Sequence, residues 1–280
     1  MHPLLNDPKS LTEHILQALS ERSRREPYFS GDAQDSSAPS AVLLLLAPRC
    51  DGNGASSDPC LILNKRSQKV RQPGDICCPG GSVTPRLDAC LAKLLTLPGF
   101  PLTRWPCWSR WSSRHRREAT RLALLFAAGL REGFEEMGLN PLGVRFLGPL
   151  PPQHLRMFRR VIYPMAGWVP RQKRFVTNWE VEKVVRIPLR DLLIPGYYAN
   201  YRLEFSHHFK EKLHRETEDF PCFRYQTRNE QEVLWGATYR IVTLFLELTF
   251  GFRPPDVASL PVIPGTLEGN YLTGGERVEK

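Results

Sequence analysis

Three glutamates in one short stretch could do chemistry together. Glu132, Glu135 and Glu136 stand at i, i+3 and i+4, so a helix places their carboxylates on one face within a single turn. Gly138 is expected to end that helix, which puts the acids in the last turn, where the helix dipole disfavours negative charge. A Mg²⁺ or Mn²⁺ ion would reverse this penalty, because hard carboxylate oxygens suit these cations. By themselves the residues also fit a solvated acidic face in which Arg131 pairs with Glu135.

A basic loop and a glycine turn precede this helix in the sequence. Arg66 and Arg71 lie in a segment that ends at Gly74, and Gly80 and Gly81 follow shortly afterwards. A guanidinium group matches phosphate oxygens in geometry, and glycines let the backbone approach a ligand closely. The loop therefore predicts phosphate contacts, with exposed structural arginines as the alternative.

The acidic helix resembles part of a known family motif. The Nudix hydrolase box reads Gly-x5-Glu-x7-Arg-Glu-U-x-Glu-Glu-x-Gly-U, in which U is a bulky aliphatic residue. Its specific second half is matched here by Arg131, Glu132, Glu135, Glu136, Gly138 and Leu139. The chain thus resembles the Nudix hydrolases.

The upstream loop is similar to the signature of the coenzyme A pyrophosphatase branch of that family. The matching residues are Arg66, Ser67, Arg71, Gly74, Pro79, Gly80 and Gly81. Residues 178–181 and 234–238 resemble later stretches of the same branch. The likeness therefore runs from about residue 41 to residue 248.

Several positions depart from these patterns. Cys78 replaces a phenylalanine, Gly133 replaces the bulky aliphatic residue, and only two residues separate Arg71 from Gly74. A few dozen inserted residues interrupt the first half of the box, and Ala123 stands where the spacing would place its glutamate. The three terminal glutamates are present, so these departures concern the substrate more than the metal.

The resemblance implies a catalytic metal site. Glu132, Glu135 and Glu136, with the backbone carbonyl of Gly81, would hold one or more Mg²⁺ or Mn²⁺ ions. Arg131 would orient Glu135. The ion would activate a water and neutralise charge on a pyrophosphate bridge, which are general roles of catalytic metals.

The resemblance also implies a nucleotide substrate. Arg66, Ser67, Arg71 and Gly80 would contact it, and Glu180 is a further candidate metal ligand or base, with a plain strand-edge residue as the alternative. The implied reaction hydrolyses coenzyme A or an acyl-CoA to 3′,5′-ADP and (acyl-)phosphopantetheine. Another nucleoside diphosphate derivative such as ADP-ribose is the second hypothesis. A non-catalytic, nucleotide-sensing Nudix-like module is the third.

Strand and helix patterns around these residues indicate an α/β (α+β) fold. The resemblance specifies it as a Nudix-like α/β/α sandwich with a mixed sheet and a helical insertion inside the box. Apolar runs predict strands at residues 41–46, 61–64, 144–147, 160–168 and 181–187, with a turn at 51–54. Helical spacing predicts helices at residues 11–24, with Ser10 as the N-cap, 113–137 and 234–248.

These elements divide the chain into three parts. Residues 1–40 are expected to form a helix and a linker, and residues 41–252 the Nudix domain. Residues 253–280 form a proline-rich tail, in which residues 253–264, with four prolines, lead into a polar end that is expected to be poorly ordered. Within the domain, residues 82–116 form the basic, tryptophan-rich insertion.

The insertion has two possible roles. Trp105, Trp108 and Trp111 recur every three residues among several arginines. They fit either a lid packed on the domain or a patch that enters an anionic membrane surface. A nucleic-acid partner is disfavoured because no known DNA- or RNA-binding module surrounds the patch.

Composition limits the remaining possibilities. The formal net charge of +9 is largely due to the segment 82–121, with eight basic and two acidic residues, so the whole fold need not bind nucleic acid. No apolar run approaches bilayer length, and no signal peptide is recognisable, so we expect a cytoplasmic protein, with peripheral contact to a membrane if the tryptophans of the insertion form the surface patch. The seven cysteines are expected to be reduced. His207, His208 and His214 are expected to form a surface cluster, and a homodimer is possible.

Overall fold

The computed structural model describes residues 3–25, 29, 39–48, 58–155, 160–206, 215–227, 230–267, 271 and 273–274. Its helices are α1 (Pro8–Arg25), α2 (Pro85–Leu95), α3 (Trp108–Arg114), α4 (Arg116–Met137), α5 (Leu189–Leu192) and α6 (Gly236–Phe250). Its strands are β1 (Ser40–Ala47), β2 (Cys60–Arg66), β3 (Ile76–Cys77), β4 (Gly80–Ser82), β5 (Arg145–Pro149), β6 (Gln153–Leu155), β7 (Arg160–Trp168), β8 (Val181–Pro188), β9 (Tyr198–Phe205), β10 (Thr217–Gln226), β11 (Gln231–Leu234) and β12 (Val262–Leu267). The predicted α/β class is confirmed.

The strands form two mixed sheets. The larger has eight strands in the order β3-β2-β1-β7-β5, with β4 paired to β1, β6 to β7 and β8 to β2. In this sheet β1 and β7 run parallel and the other paired strands run antiparallel. The smaller sheet has the order β11-β10-β9-β12, with β12 parallel to β9.

The centre of the larger sheet is covered on both faces. Four consecutive leucines of β1, residues 43–46, are each 0% exposed, and alternate residues of a strand point to opposite faces. Helix α4 packs on β1 and β4, and α1 packs on β5 and α6. Gly129 permits the close approach of α4, since a Cβ there would lie 3.0 Å from Leu43 Cδ2. The sheet therefore packs behind α4, the helix that carries the acidic residues.

Two predicted helix boundaries are wrong. Helix α1 is capped by Asp7 rather than Ser10, because the Asp7 carboxylate accepts hydrogen bonds from the amides of Lys9 and Ser10, both at 3.1 Å. The helix predicted at 113–137 is two helices, since the backbone of His115 (φ −127°, ψ 55°) leaves the helical region between α3 and α4.

The sequence analysis predicted no strand of the second sheet. Three of its strands, β9, β10 and β11, lie between residues 188 and 234, and β12 lies further along the chain. Strands β9 and β10 pair from Tyr198 with Phe223 to Glu204 with Thr217. The prediction of a poorly ordered polar end is wrong for residues 265–267, because β12 pairs with β9 along its whole length, through to Leu267. Backbone hydrogen bonds to a neighbouring strand order this segment despite its prolines and polar residues.

Of the two roles predicted for the insertion, the structure agrees with a lid packed on the domain. Trp105 is 2% exposed and Trp111 is 7% exposed, and both belong to the hydrophobic core. The Trp105 ring contacts Phe146 of β5 edge-on, with centroids 5.1 Å apart. Trp108 is partly buried against the same core. Protein atoms cover the Trp105 and Trp111 rings, so these two rings are not exposed to a membrane surface and the insertion packs on the domain as a lid.

In the described part of the chain no helix is both long and apolar enough to cross a bilayer. The six described cysteines form no disulfide. Cys50, the turn at 51–54 and the histidines His207, His208 and His214 lie outside the described residues.

Candidate functional site

The acidic face is carried by the C-terminal end of α4. Gly138 adopts the left-handed conformation (φ 63°) and caps the helix, as predicted, with its amide donating to the carbonyl of Phe134 at 2.9 Å. Leu139 then folds back and is fully buried. A Cβ at Gly133 would lie 2.9 Å from Leu139 Cδ2, so the glycine makes room for this leucine. The departure from the family box at position 133 thus has a packing reason.

Glu136 is the most buried carboxylate of the three, with 8% exposure. The amide nitrogen of the Asn64 side chain donates to its Oε2 at 3.0 Å, and the backbone amide of Gly80 donates to the same oxygen at 3.2 Å. Within the described residues its Oε1 accepts no hydrogen bond. Burial, then the charges of Glu132 and Glu180, raise the pKa of Glu136 to about 8. The fold therefore holds a carboxylate where ionisation is unfavourable without a cation.

Glu132 lies directly against the backbone of β4. A Cβ at Gly81 would lie 2.5 Å from Glu132 Cδ, so no other residue fits at position 81 without moving this carboxylate. Gly80, with φ 146°, is equally restricted, because its Cβ would lie 2.2 Å from the carbonyl oxygen of Ala41. Burial also raises the pKa of Glu132. The structure thus places Gly80 and Gly81 beside the predicted acids.

Arg131 links the acids to the insertion. Its Nε donates to Asp88 Oδ1 at 2.7 Å, and its guanidinium also reaches the carbonyl of Ser82 at 3.0 Å. The same group contacts Glu132 Oε1 at 3.0 Å and Glu135 Oε2 at 3.1 Å. The hydrogen bond with Asp88 raises the pKa of Arg131 further. This one cation therefore holds α2, β4 and the end of α4 together.

Asp88 is the site residue that the sequence analysis missed. Its side chain is 0% exposed and also accepts a hydrogen bond from the amide of Thr84 at 2.6 Å. In the sequence it resembles an ordinary acid in the first turn of a helix that begins at Pro85. The available signal was weak: Asp88 and Glu118 are the two acidic residues in a strongly basic segment.

Glu135 is the most exposed of the three predicted metal ligands. Its side chain is 49% exposed, and it contacts Arg131 at i−4. This contact agrees with the orienting role proposed for Arg131, and it equally agrees with a plain i, i+4 ion pair.

Glu180 joins the acidic group from a different part of the chain. It lies in a turn in which the amide of Asn178 donates to the Glu136 carbonyl at 2.9 Å. The charge of Glu180 raises the pKa of both Glu132 and Glu136, which places it within electrostatic range of them. The Glu180 carbonyl accepts from the amide of Ser67 at 2.8 Å. This turn therefore connects the acidic helix end to the basic loop.

The basic loop lies next to the acids. Arg66 is the last residue of β2, and its charge lowers the pKa of Glu136. Its Nε donates to the carbonyl of Arg71 at 2.7 Å, and its carbonyl accepts from the amide of Gly74 at 3.0 Å. The Arg71 side chain is exposed, and Ser67 Oγ accepts from the amide of Lys69. The Arg66 charge therefore acts on Glu136, and the backbone of Arg71 is held beside Arg66.

The carboxylates fit a divalent cation in their chemistry. In the residues that the structure covers, no three His, Cys, Asp or Glu side chains converge on one point, and Glu132 and Glu135 instead contact Arg131. The oxygens of Glu132, Glu136 and Glu180 are nevertheless hard ligands, and their mutual repulsion is the kind that a bound cation removes.

Comparison with known proteins gives distant structural likenesses alone. No family model matches the chain, and no curated protein matches it. A NUDIX hydrolase from Alicyclobacillus acidocaldarius is 15% identical, with 78% of this chain and 93% of that chain covered and a TM-score of 0.41. An Ap4A hydrolase from C. elegans is 12% identical, with 56% and 84% covered and a TM-score of 0.35. The NUDIX domain of Shewanella oneidensis NrtR, complexed with ADP ribose, is 14% identical, with 62% and 85% covered and a TM-score of 0.33. Likenesses this distant do not assign a family, so the function must be argued from the site.

Proposed function

We propose that this chain is a divalent-metal-dependent hydrolase that cleaves the pyrophosphate linkage of a nucleotide derivative, with coenzyme A or an acyl-CoA as the first candidate substrate. The observation that carries this proposal is the buried Glu136, flanked by Glu132 and Glu180 and bordered by the arginine loop. Structural helix ends rarely bury acids together in this way, because each raises the cost of ionising the others.

The chain's own residues have defined tasks in this proposal. Asn64 and the Gly80 amide fix Glu136 through Oε2, which leaves Oε1 to face a cation. Glu132, Glu135 and Glu180, with the Gly81 carbonyl, are the other proposed ligands of Mg²⁺ or Mn²⁺. The bound ion would supply a water of lowered pKa and neutralise charge on the bridge. Water attacks one phosphorus atom, the bond from that phosphorus to the bridging oxygen breaks, and two phosphate esters leave.

Arg66 and Arg71 are proposed to bind substrate phosphates. Replacing either with alanine should raise KM about tenfold, because a charge-assisted contact is lost, whereas kcat should change little. Glu180→Ala should instead lower kcat more than it raises KM. Steady-state kinetics on coenzyme A measures both constants. Arg253→Ala is the matched control, since this exposed arginine pairs with Glu247 on α6.

The 3′-phosphate provides a sharper version of this test. If either arginine contacts that group, its removal should narrow the difference in kcat/KM between coenzyme A and its 3′-dephospho form. An unchanged ratio in both variants would reject this role and leave the pyrophosphate itself as the arginines' ligand.

Two other functions compete with this proposal. Hydrolysis of ADP-ribose or a related nucleoside diphosphate derivative would use the same acids with a different substrate pocket. A nucleotide-sensing module would bind such a compound without turnover. The carboxylates favour hydrolysis over sensing, because a ligand-binding role alone does not need acids that repel one another. Assays of turnover and of binding on the same compounds distinguish the three functions.

A further inference from the structure

Residues near the end of the chain lie across the basic loop 66–75. We call Tyr271, Thr273 and Gly274 the strap. The Tyr271 carbonyl accepts a hydrogen bond from the Gln72 amide at 2.7 Å. A Cβ at Gly274, which has φ 82°, would lie 3.0 Å from the carbonyl carbon of Val70 and 3.1 Å from the Arg71 amide nitrogen. The strap therefore touches the backbone of the loop at two separate places.

Asp75 ties the strap and Trp235, the residue before α6, to the same loop. The Tyr271 hydroxyl donates to Asp75 Oδ2 at 2.5 Å, and Trp235 Nε1 donates to Oδ1 at 3.0 Å. The Trp235 and Tyr271 rings lie 6.2 Å apart between centroids. Burial raises the pKa of Asp75 to about 6, and the two hydrogen bonds and the charge of Arg66 oppose that rise. A half-buried carboxylate that depends on donors from two distant segments fixes their relative positions.

The loop also contains a backbone conformation that needs support. Among the described residues, Gln72 is the one non-glycine residue with positive φ, at 56°. This conformation is unfavourable for a residue with a side chain and persists where neighbouring contacts hold it. The amide of Gln72 is the group that the strap binds. The strap thus acts on the strained position, next to Arg71.

We propose that the strap is a positioning device, which holds the loop so that Arg66 and Arg71 meet substrate phosphates. Arg66 is bonded to the carbonyl of Arg71, so a shift of the loop at residues 70–72 would displace both guanidinium groups. Holding the loop before substrate arrives lowers the entropy lost on binding. This inference rests on the proposed function for its effect on the substrate, and on the contacts above for its effect on the loop.

The first arm of the test measures kinetics. Tyr271→Phe keeps the ring and removes the hydroxyl, which donates to Asp75 at 2.5 Å and accepts from Gln72 Nε2 at 3.5 Å. KM should therefore rise about fivefold with kcat within twofold, as expected for the loss of one short hydrogen bond and one long one. Gly274→Val should raise KM further by pushing on the loop backbone. In an Arg66→Ala, Arg71→Ala background, Tyr271→Phe should have no further effect on KM, because the strap acts through these two side chains.

The second arm needs no activity. Hydrogen exchange at the Gln72 amide and trypsin cleavage after Lys69 and Arg71 should both become faster in Gly274→Val, while the global melting temperature stays the same. Tyr197→Phe, in a partly exposed ring beside the second sheet, is the control and should change neither.

The outcomes separate the two proposals. Unchanged exchange and cleavage in Gly274→Val would overturn the strap whatever the kinetics. An equal KM increase for Tyr271→Phe with and without the two arginines would also overturn it. Faster exchange in a chain with no metal-dependent turnover would reject the phosphate role together with the proposed function. Faster exchange with a KM effect that disappears in the arginine-free background supports the strap.

Discussion

Replacing Glu136 with glutamine is expected to lower metal-dependent turnover roughly a thousandfold while the protein remains folded. This rate change corresponds to about 4 kcal/mol of lost transition-state stabilisation. The reason is that Glu136 is the buried carboxylate whose Oε1 is proposed to face the cation. Glutamine keeps an oxygen that accepts from Asn64 and from the Gly80 amide, so the local hydrogen bonds remain possible. Glu13→Gln, which changes an exposed acid of α1, is the control. Full activity in Glu136→Gln would reject the metal site.

Without metal, the Glu136→Gln variant should be more stable than the wild type, although it is less active with metal. The pKa of Glu136 is raised from 4.5 to about 8 in the folded protein, so the folded state retains this proton more strongly than the unfolded chain does. Its contribution to stability is therefore complete below about pH 4.5 and is lost as the pH rises towards 8. In EDTA, the advantage in melting temperature of Glu136→Gln over the wild type should grow across this range. A constant difference from pH 4.5 to 8 would contradict the assigned burial and charge crowding.

Asp88→Ala is expected to destabilise the protein by about 3–5 kcal/mol, because it leaves the largely buried Arg131 guanidinium without its main partner. Asp88 is 0% exposed and Arg131 is 9% exposed, so water cannot replace the lost bond easily. Urea unfolding measures the change in the free energy of unfolding. Turnover should fall as well, since Arg131 also contacts Glu132 and Glu135.

An exposed pair of the same kind provides the control for Asp88. Asp219 accepts from Nε and from a terminal nitrogen of Arg202, both at 2.8 Å, on the second sheet. Asp219→Ala should lower the free energy of unfolding much less than Asp88→Ala does, because solvent screens an exposed pair. The double variant Asp88→Leu, Arg131→Met should be more stable than Asp88→Ala, since no buried charge is left alone. Equal losses for Asp88→Ala and Asp219→Ala would show that the buried bridge does not hold the site.

Local features of the site could be predicted from the sequence. The spacing of Glu132, Glu135 and Glu136 and the glycine cap at Gly138 depend on contacts within one helix turn, which sequence spacing records directly. The apolar strand at 160–168 was predicted at its observed bounds, because a strand that is buried along most of its length leaves an apolar run in the sequence.

Features that depend on distant partners could not be predicted in this way. Asp88 and Arg131 are separated by 43 residues and meet because α2 packs on α4. The tryptophans of the insertion have a spacing that suits a surface patch, but spacing does not record that Phe146 covers Trp105. Strands β9 and β10 mix polar and apolar residues, so neither periodicity stands out until they are paired.

The most direct measurement is mass spectrometry of the products formed from coenzyme A, an acyl-CoA and ADP-ribose, with Mg²⁺, with Mn²⁺ and with EDTA, for the wild type and for Glu136→Gln. We predict two phosphorylated products from at least one substrate, formed with a divalent cation, absent in EDTA and strongly reduced in Glu136→Gln. For coenzyme A these products are 3′,5′-ADP and 4′-phosphopantetheine. Products that form equally in EDTA, or at an equal rate in Glu136→Gln, would contradict a metal-dependent hydrolase built on this carboxylate, as would the absence of cleavage of all three compounds with either metal.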